Sequence, residues 1–336
     1  MENSCECSEA NLWCPDRRKE KIRYKIQRSP PGLLINCHDQ NLIDEDELKF
    51  YTKNITLDAS ETKVIMEDCP IPKYSFGELF KDMDIEHLDV RNSLSKELIA
   101  GQFKGLGPTL KKLKFRTTDL TSISPDAFMG LENLTNLSFV NNYEFKIFPN
   151  GSDVFNPLTN LLYLEIRSYR DKRSKKPIIQ ELSDGLLDGL KELKWLITDV
   201  GTNPSSRLFQ NNFNLKRLDI VNLDVESLAK DQKSMFFNLK ELKYVYLEAK
   251  SIANFTDDLF KSNKKLSTFK FTGQNKRRDK CWRGRSNECI AKPKSFVKNL
   301  SSLKMFEIDY KRGEIVLNND FFHGCDQLTH VKIIHR

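Results

Sequence analysis

Residues 110–142 read LKKLKFRTTDLTSISPDAFMGLENLTNLSFVNN, and this stretch holds one spacing twice. In the first copy Leu110, Leu113, Phe115 and Leu120 are apolar, with Thr118 three residues after Phe115. In the second, Leu134, Leu137 and Phe139 repeat the pattern 24 residues later, and Asn142 takes the place of Thr118. The centre of each copy alternates apolar and polar residues as a strand does, so the intervening side chains point away from the core.

Working outward, the first position of the pattern recurs at Glu61, Ile85, Leu110, Leu134, Leu161, Leu193, Leu215, Leu242, Leu266, Leu303 and Leu328. Most spacings lie between 22 and 27 residues, and two stretch to 32 and 37. A template L-x-x-L-x-L-x-x-N/C-x-L at such a period is the leucine-rich repeat. A second pattern is locked to the same phase. Apolar residues stand six and three before the first position, as in Phe128/Leu131, Phe155/Leu158, Leu187/Leu190, Phe236/Leu239 and Phe322/Cys325. A single unit cannot bury its own apolar edge, and stacking supplies a continuous core. The expected fold is an α/β leucine-rich-repeat solenoid, a horseshoe with a parallel β-sheet on the concave side and loops and short helical turns outside. The Asn slot holds Cys69, Asn142, Tyr169, Gly201, Leu223 and Lys250, so its side-chain bonding to neighbouring turns is expected to be discontinuous.

Composition narrows the class. The chain has 336 residues, 30% of them charged, with a net charge of +7. No apolar run approaches the roughly 18 residues of a spanning helix, and the first residues lack the apolar segment of a signal peptide. The five histidines (His38, His87, His323, His330 and His335) form no metal-binding spacing. Neither a G-x-S-x-G elbow nor a P-loop occurs, and Gly101, Gly105 and Gly107 lack the following Lys-Ser/Thr. An enzyme, a metal centre and a cofactor are not expected.

Four cysteines (Cys5, Cys7, Cys14 and Cys37) precede the repeats, where a solenoid needs a cap over its exposed core edge. Ile22, Tyr24 and Ile26 alternate as a strand, and Leu34 and Ile35 lead into Cys37. Two disulfides stapling a β-rich cap are expected, with a zinc site as the alternative that irregular spacing argues against. Cys281 and Cys289 are expected to bridge inside the longest insertion. Cys69 and Cys325, at repeat positions that face inward, are read as buried free thiols; the rival account pairs Cys69 with a cap cysteine. The expected division is a cap over 1–60 and a solenoid of about eleven repeats over 61–336, ending within a repeat and without a C-terminal cap. Disulfides place the chain outside the cytosol, and N-linked glycans are expected at Asn54, Asn133, Asn136, Asn150, Asn254 and Asn299.

The repeat register also names the side chains that face a ligand. From the third, fifth, seventh and eighth positions come Ile65, Glu67, His87, Asp89, Arg91, Lys112, Lys114, Arg116, Tyr163, Arg167, Trp195, Tyr244 and Tyr246 as candidate ligand contacts. Aromatic and Arg residues are the usual anchors of protein interfaces, whereas a Tyr on an exposed strand can also pack only on its cross-strand neighbour. Lys112, Lys114 and Arg116 form a basic row suited to an acidic ligand patch. Two insertions carry basic clusters, Lys172, Arg173, Lys175 and Lys176 and then Lys276, Arg277, Arg278, Lys280, Arg283 and Arg285 around Trp282. Nucleic acid is the weaker reading of these, because acidic residues are interspersed along the concave face.

The cap and first repeats resemble insect Toll receptors. The resemblance rests on Cys5-Glu-Cys7, Cys14-Pro15, Asn36-Cys37-His38-Asp39 and the stretch from Lys111 to Leu137; later repeats match by pattern only. It implies the N-terminal part of the ectodomain of a single-pass type I receptor of innate immunity and development, on the extracellular side of the plasma membrane. The implied partner is Spätzle-like, a dimeric cystine-knot cytokine bound through the cap and early concave surface, with receptor homodimerisation as a possible consequence. The chain has one cap cysteine fewer than the resemblance leads one to expect, and it contains neither the membrane span nor the signalling domain of such a receptor. A secreted leucine-rich immune or matrix protein is the second reading.

Overall fold

Wherever a repeat is described, its strand begins at the third position of the sequence pattern. The computed structural model describes residues 24–29, 32–37, 52, 62–81, 83–142, 153–168, 182, 184–199, 207–223, 234–249, 251–274, 290–311 and 314–335. In chain order its elements are β1 (Tyr24–Ser29), β2 (Gly32–Cys37), β3 (Lys63–Glu67), α1 (Phe76–Leu79), β4 (His87–Arg91), β5 (Glu97–Leu98), β6 (Lys112–Arg116), β7 (Ser122–Ile123) and β8 (Asn136–Asn142). They continue with β9 (Tyr163–Ser168), β10 (Trp195–Asp199), β11 (Arg217–Leu223), β12 (Tyr244–Ala249), β13 (Thr268–Gln274), β14 (Ile290–Ala291), β15 (Met305–Lys311), β16 (Glu314–Ile315) and β17 (His330–His335). The chain divides into two compact units: Met1–Phe148, Pro157–Leu161 and Arg167–Ile178 form one, and Pro149–Asn156, Leu162–Ile166 and Ile179–Arg336 the other.

In unit 1 the strands run in the order β1-β2-β3-β4-β6-β8. The first two form an antiparallel hairpin, and every later pairing is parallel, with Lys63, His87, Lys112 and Asn136 level with one another. Unit 2 stacks β9-β10-β11-β12-β13-β15-β17, all parallel, with Tyr163, Trp195, Arg217, Tyr244, Thr268, Met305 and His330 level. This is the parallel-sheet solenoid that the repeat implied. One backbone device recurs. A carbonyl at the second position of each turn accepts two N–H groups of the next, as Glu86 does from Lys111 and Lys112, and Lys216 from Lys243 and Tyr244. Interior backbone groups must find partners, and this pairing supplies them at every step from β3 to β8 in unit 1 and from β9 to β17 in unit 2.

Phenylalanine forms the spine of both units. In unit 1 Phe76, Phe103 and Phe128 stack at 5.4 and 5.8 Å, and Phe115 stacks on Phe139 at 5.2 Å. In unit 2 Phe236, Phe260, Phe296 and Phe321 follow one another at 5.0, 6.2 and 5.3 Å. Each buried ring contributes roughly 1.5–3 kcal/mol by leaving water, and each ring pair about 0.5–1.5 kcal/mol more. The return segments are mostly turns. The short helix α1 is capped by Ser75, whose Oγ accepts from the Glu78 N–H at 3.2 Å, so the helical share is smaller than an α/β label suggests.

The sequence pattern missed a polar device at the slot three residues before the first position. Asn212 and Asn263 occupy it, fully buried. The Asn212 amide donates to the carbonyls of Leu187 and Leu190 at 3.0 and 3.1 Å, and Asn263 to those of Phe236 and Leu239 at 2.9 and 2.8 Å. The Cys325 thiol, in the same slot, donates to the Val297 carbonyl at 3.2 Å. Each polar side chain there ties its turn to the one before it. In the Asn/Cys slot, Ser93 and Thr118 are buried beside Cys69.

The cysteines require a correction. Cys37 is bridged to Cys69, with Cα atoms 4.9 Å apart. Cys69 is therefore no free thiol but the partner of a cap cysteine, as the rival account had it, and Cys37 does not pair with Cys5, Cys7 or Cys14. Register is the cause: β2 lies parallel to β3 with Asn36 beside Glu67, so the residue that ends β2 meets the turn carrying Cys69. Cys325 is a free, buried thiol, and burial pushes its pKa up. Cys5, Cys7, Cys14, Cys281 and Cys289, both basic insertions, and the acceptors Asn54 and Asn150 lie outside the described residues.

Candidate ligand-binding face

The residues at the third, fifth and seventh positions of each repeat form the open face of each sheet, but they are not equally open. Third-position residues such as His87, Trp195, Arg217 and Tyr244 are half-buried, whereas several fifth-position residues are closed off. Asp89 is 4% exposed and Asp219 5% exposed; Glu165, Ile197 and Asp199 are buried too. The expectation that Asp89 is an exposed ligand contact is thus corrected: longer neighbours close over it, and its charge is spent inside the protein.

In unit 1 the Asp89 carboxylate is the pivot. Its Oδ2 accepts from Arg91 Nη2 at 2.9 Å and Nε at 3.2 Å, and lies 3.1 Å from Arg116 Nη2. Around this triad stand Ile65, Glu67, Lys112 and Lys114. Across β3, β4, β6 and β8 the open-face positions carry five cations (Lys63, Arg91, Lys112, Lys114 and Arg116) against the carboxylates Glu67 and Asp89. His87 sits in that field. Burial, then Lys112, lowers its pKa, with Lys63 and Lys111 adding to the effect and Glu86 opposing it.

Unit 2 uses a carboxylate in the same slot for a different purpose. Asp219 Oδ2 accepts from Arg217 Nε at 3.1 Å and from the Trp195 indole N–H at 3.2 Å. The Arg217 guanidinium lies 4.2 Å from the centre of the Trp195 ring and 4.3 Å from that of Tyr244. Tyr163 meets Trp195 edge to face at 4.9 Å and donates its hydroxyl to Glu165 at 3.0 Å. The result is a continuous stack of Tyr, Trp, Arg and Tyr over β9 to β12. Beyond it the Tyr246 hydroxyl donates to Thr272 at 3.3 Å, and Lys270 pairs with Glu307 at 2.8 Å. Burial raises the pKa of Tyr244 and of Tyr246, so both phenols stay protonated at neutral pH. Arg167, at the seventh position of β9, is half-buried.

The structure places Tyr163, Trp195 and Tyr244 on the open face of β9, β10 and β12, and Arg217 and Asp219, which join them, stand at register positions that the sequence reading places on the exposed face but that are missing from the narrower set of candidate contacts. The available signal was the spacing: Arg217 and Asp219 are third- and fifth-position residues of the turn between those carrying Trp195 and Tyr244. Among the described residues no group of three or more His, Cys, Asp or Glu side chains could hold a metal ion, and no helix is long and apolar enough to cross a membrane.

Comparison with known proteins agrees with the fold. The leucine-rich-repeat family profile matches residues 84–143, and a BspA-type leucine-rich-repeat region profile matches residues 183–288. The structure is similar to the Drosophila Toll–Spätzle complex, with a TM-score of 0.67 at 17% identity over 94% of this chain, and to its glycosylated form, with a TM-score of 0.63. It also resembles the TLR13–ssRNA13 complex, with a TM-score of 0.56 at 21% identity over 87% of the chain. The chain spans 38% of that Toll chain and 41% of the TLR13 chain, about two fifths of each. No curated protein matches the sequence. The molecule carries leucine-rich repeats and has the fold seen in Toll and Toll-like receptor ectodomains.

Proposed function

We propose that this chain is a ligand-binding, non-enzymatic ectodomain region of a Toll-type receptor. It works outside the cell and takes a Spätzle-like dimeric cystine-knot cytokine through its N-terminal cap and the open faces of its sheets. The observation that carries this reading is the aromatic–arginine stack of Tyr163, Trp195, Arg217 and Tyr244. Large, half-exposed rings locked by a buried carboxylate have the composition of interface hot spots. The fold-level likeness to Toll raises the prior for this ligand class without assigning it.

Within this reading, residues 1–60 form the cap and 61–336 the solenoid. Ile65, Glu67, His87, Arg91, Lys112, Lys114, Arg116, Arg167 and Tyr246 surround the central contacts. N-linked glycans sit at Asn54, Asn133, Asn136, Asn150, Asn254 and Asn299; of these Asn133, Asn254 and Asn299 are exposed on turns. Cytokine binding brings two receptors together.

The test titrates the secreted protein with a dimeric cystine-knot cytokine and, separately, with single-stranded RNA over a salt series. Saturable cytokine binding that weakens about tenfold or more on Trp195→Ala is the expected result. Binding of RNA alone, with the steep salt dependence of phosphate contacts, transfers the molecule to the nucleic-acid-sensing class. Failure of both ligands removes the receptor reading.

A further inference from the structure

We infer that Arg217, clamped between Trp195 and Tyr244, is a preorganised anchor for a single carboxylate, the side chain of an Asp or Glu on a protein partner. The inference rests on the receptor reading for the identity of the partner, but not for the chemistry of the site.

The argument begins with what the guanidinium has left to offer. Both of its flat faces are covered by rings, at 4.2 and 4.3 Å. Its Nε is spent on Asp219 at 3.1 Å. Its terminal Nη groups make no hydrogen bond to the described residues, and the side chain remains 41% exposed. A guanidinium satisfied above, below and at one edge has only its outer edge to give, and that edge is the fork that fits a carboxylate through two parallel hydrogen bonds. Much of the ordering cost is already met. The rings and Asp219 hold the side chain in place, so a ligand loses little by fixing it further. The Tyr244 hydroxyl likewise makes no hydrogen bond to the described residues, so a second donor stands on the ring that covers Arg217.

Electrostatics select one carboxylate over a polyanion. From β9 to β17, open-face positions carry Glu165, Asp199, Asp219, Glu248, Glu307 and Asp309 against Arg167, Arg217, Lys270 and Lys332, so the carboxylates outnumber the cations. A nucleic acid reaching Arg217 would bring its neighbouring phosphates against those carboxylates, whereas an isolated acidic side chain meets only the outer edge of the guanidinium.

The test needs no cytokine. The protein has three tryptophans, and the indole N–H resonance that disappears in Trp195→Phe identifies Trp195. The probe is N-acetyl-glutamate N-methylamide, compared with its glutamine counterpart. The expected result is a saturable shift of the Trp195 indole with the glutamate compound only. Arg217→Ala should abolish it, and Arg217→Lys, which lacks the fork, should weaken it by about tenfold. A thermal melt confirms that each variant is folded, and Arg217→Lys serves if Arg217→Ala is not. An equal shift with the glutamine compound, a glutamate shift that survives Arg217→Ala, or a shift produced by single-stranded RNA and not by the glutamate probe overturns the assignment. The two readings separate cleanly. A cytokine that binds wild type and Arg217→Ala alike removes the anchor and leaves the receptor reading standing. A glutamate shift without any cytokine binding does the reverse.

Discussion

The open faces of unit 1 and unit 2 are built on the same device and end up with opposite characters. In each, a buried fifth-position carboxylate holds arginines in place: Asp89 fixes Arg91 and Arg116, and Asp219 fixes Arg217. What surrounds the device differs. Around Asp89 stand lysines and a histidine; around Asp219 stand Trp195, Tyr163 and Tyr244. The first face is a cationic field of lysine and arginine side chains, suited to speeding encounter. The second is a rigid aromatic surface, net acidic at its strand positions, suited to slowing dissociation. One repeat frame therefore carries two differently charged faces, because third- and fifth-position residues vary from repeat to repeat while the apolar positions do not.

The largest expected effect separates the units by stability. The Cys37–Cys69 bridge closes a loop of about thirty residues in unit 1, worth roughly 3–4 kcal/mol in the chain-entropy model. Paired Cys37→Ala and Cys69→Ala changes should make amides of β2 and β3 exchange faster while those of β11 and β12 keep their protection. Loss of protection in both units together would show that they do not respond separately. In unit 2 the counterpart is Asn263→Ala. Two buried carbonyls each lose one of two donors, since the Leu239 and Leu242 N–H groups also reach them, at a cost of roughly 1–2 kcal/mol, read as a lowered midpoint in urea; an unchanged midpoint would mean that the amide is dispensable.

Binding should split the faces next. Charge reversal of Lys112 and Lys114 is expected to slow cytokine association severalfold and flatten its salt dependence, with dissociation nearly unchanged. Trp195→Ala should act mainly on dissociation. The same rate signature from both changes would collapse the distinction between the two faces.

The smallest effect concerns pH. Burial and the neighbouring lysines lower the His87 pKa below its ordinary value of about 6.5. As pH falls, the unfolded chain takes up that proton first, so the stability contribution is present above about pH 6.5 and is lost below it. His87→Gln should therefore blunt the fall in melting temperature between about pH 7 and about pH 5. An NMR midpoint for His87 at or above the ordinary value would contradict this.

Much of the architecture was legible in the sequence, because a buried apolar position admits few substitutes and recurs at a fixed interval. Leu113, Leu137, Leu164, Leu196, Leu218 and Val245 each sit where the pattern puts them. What was not legible shared one property: the partner lies about a turn away. Asn212 and Asn263 break an apolar slot, yet their carbonyl partners stand 22 to 27 residues earlier. Cys37 and Cys69 are 32 residues apart, and only the register of β2 on β3 brings them together. The site failed in the same way. Counting positions selects Asp89 and Trp195 as side chains that face outward, but whether one is closed over and the other left open depends on neighbours in the adjacent turns.

The most direct measurement is side-chain footprinting by hydroxyl radicals, with and without a dimeric cystine-knot cytokine. Trp195, Tyr163 and Tyr244 should be protected on binding, while the exposed Phe213 and Phe237, which lie outside the strands, should react as before. Protection of Phe213 and Phe237 with Trp195 unchanged would place the ligand on the wrong side of the repeat and contradict the account.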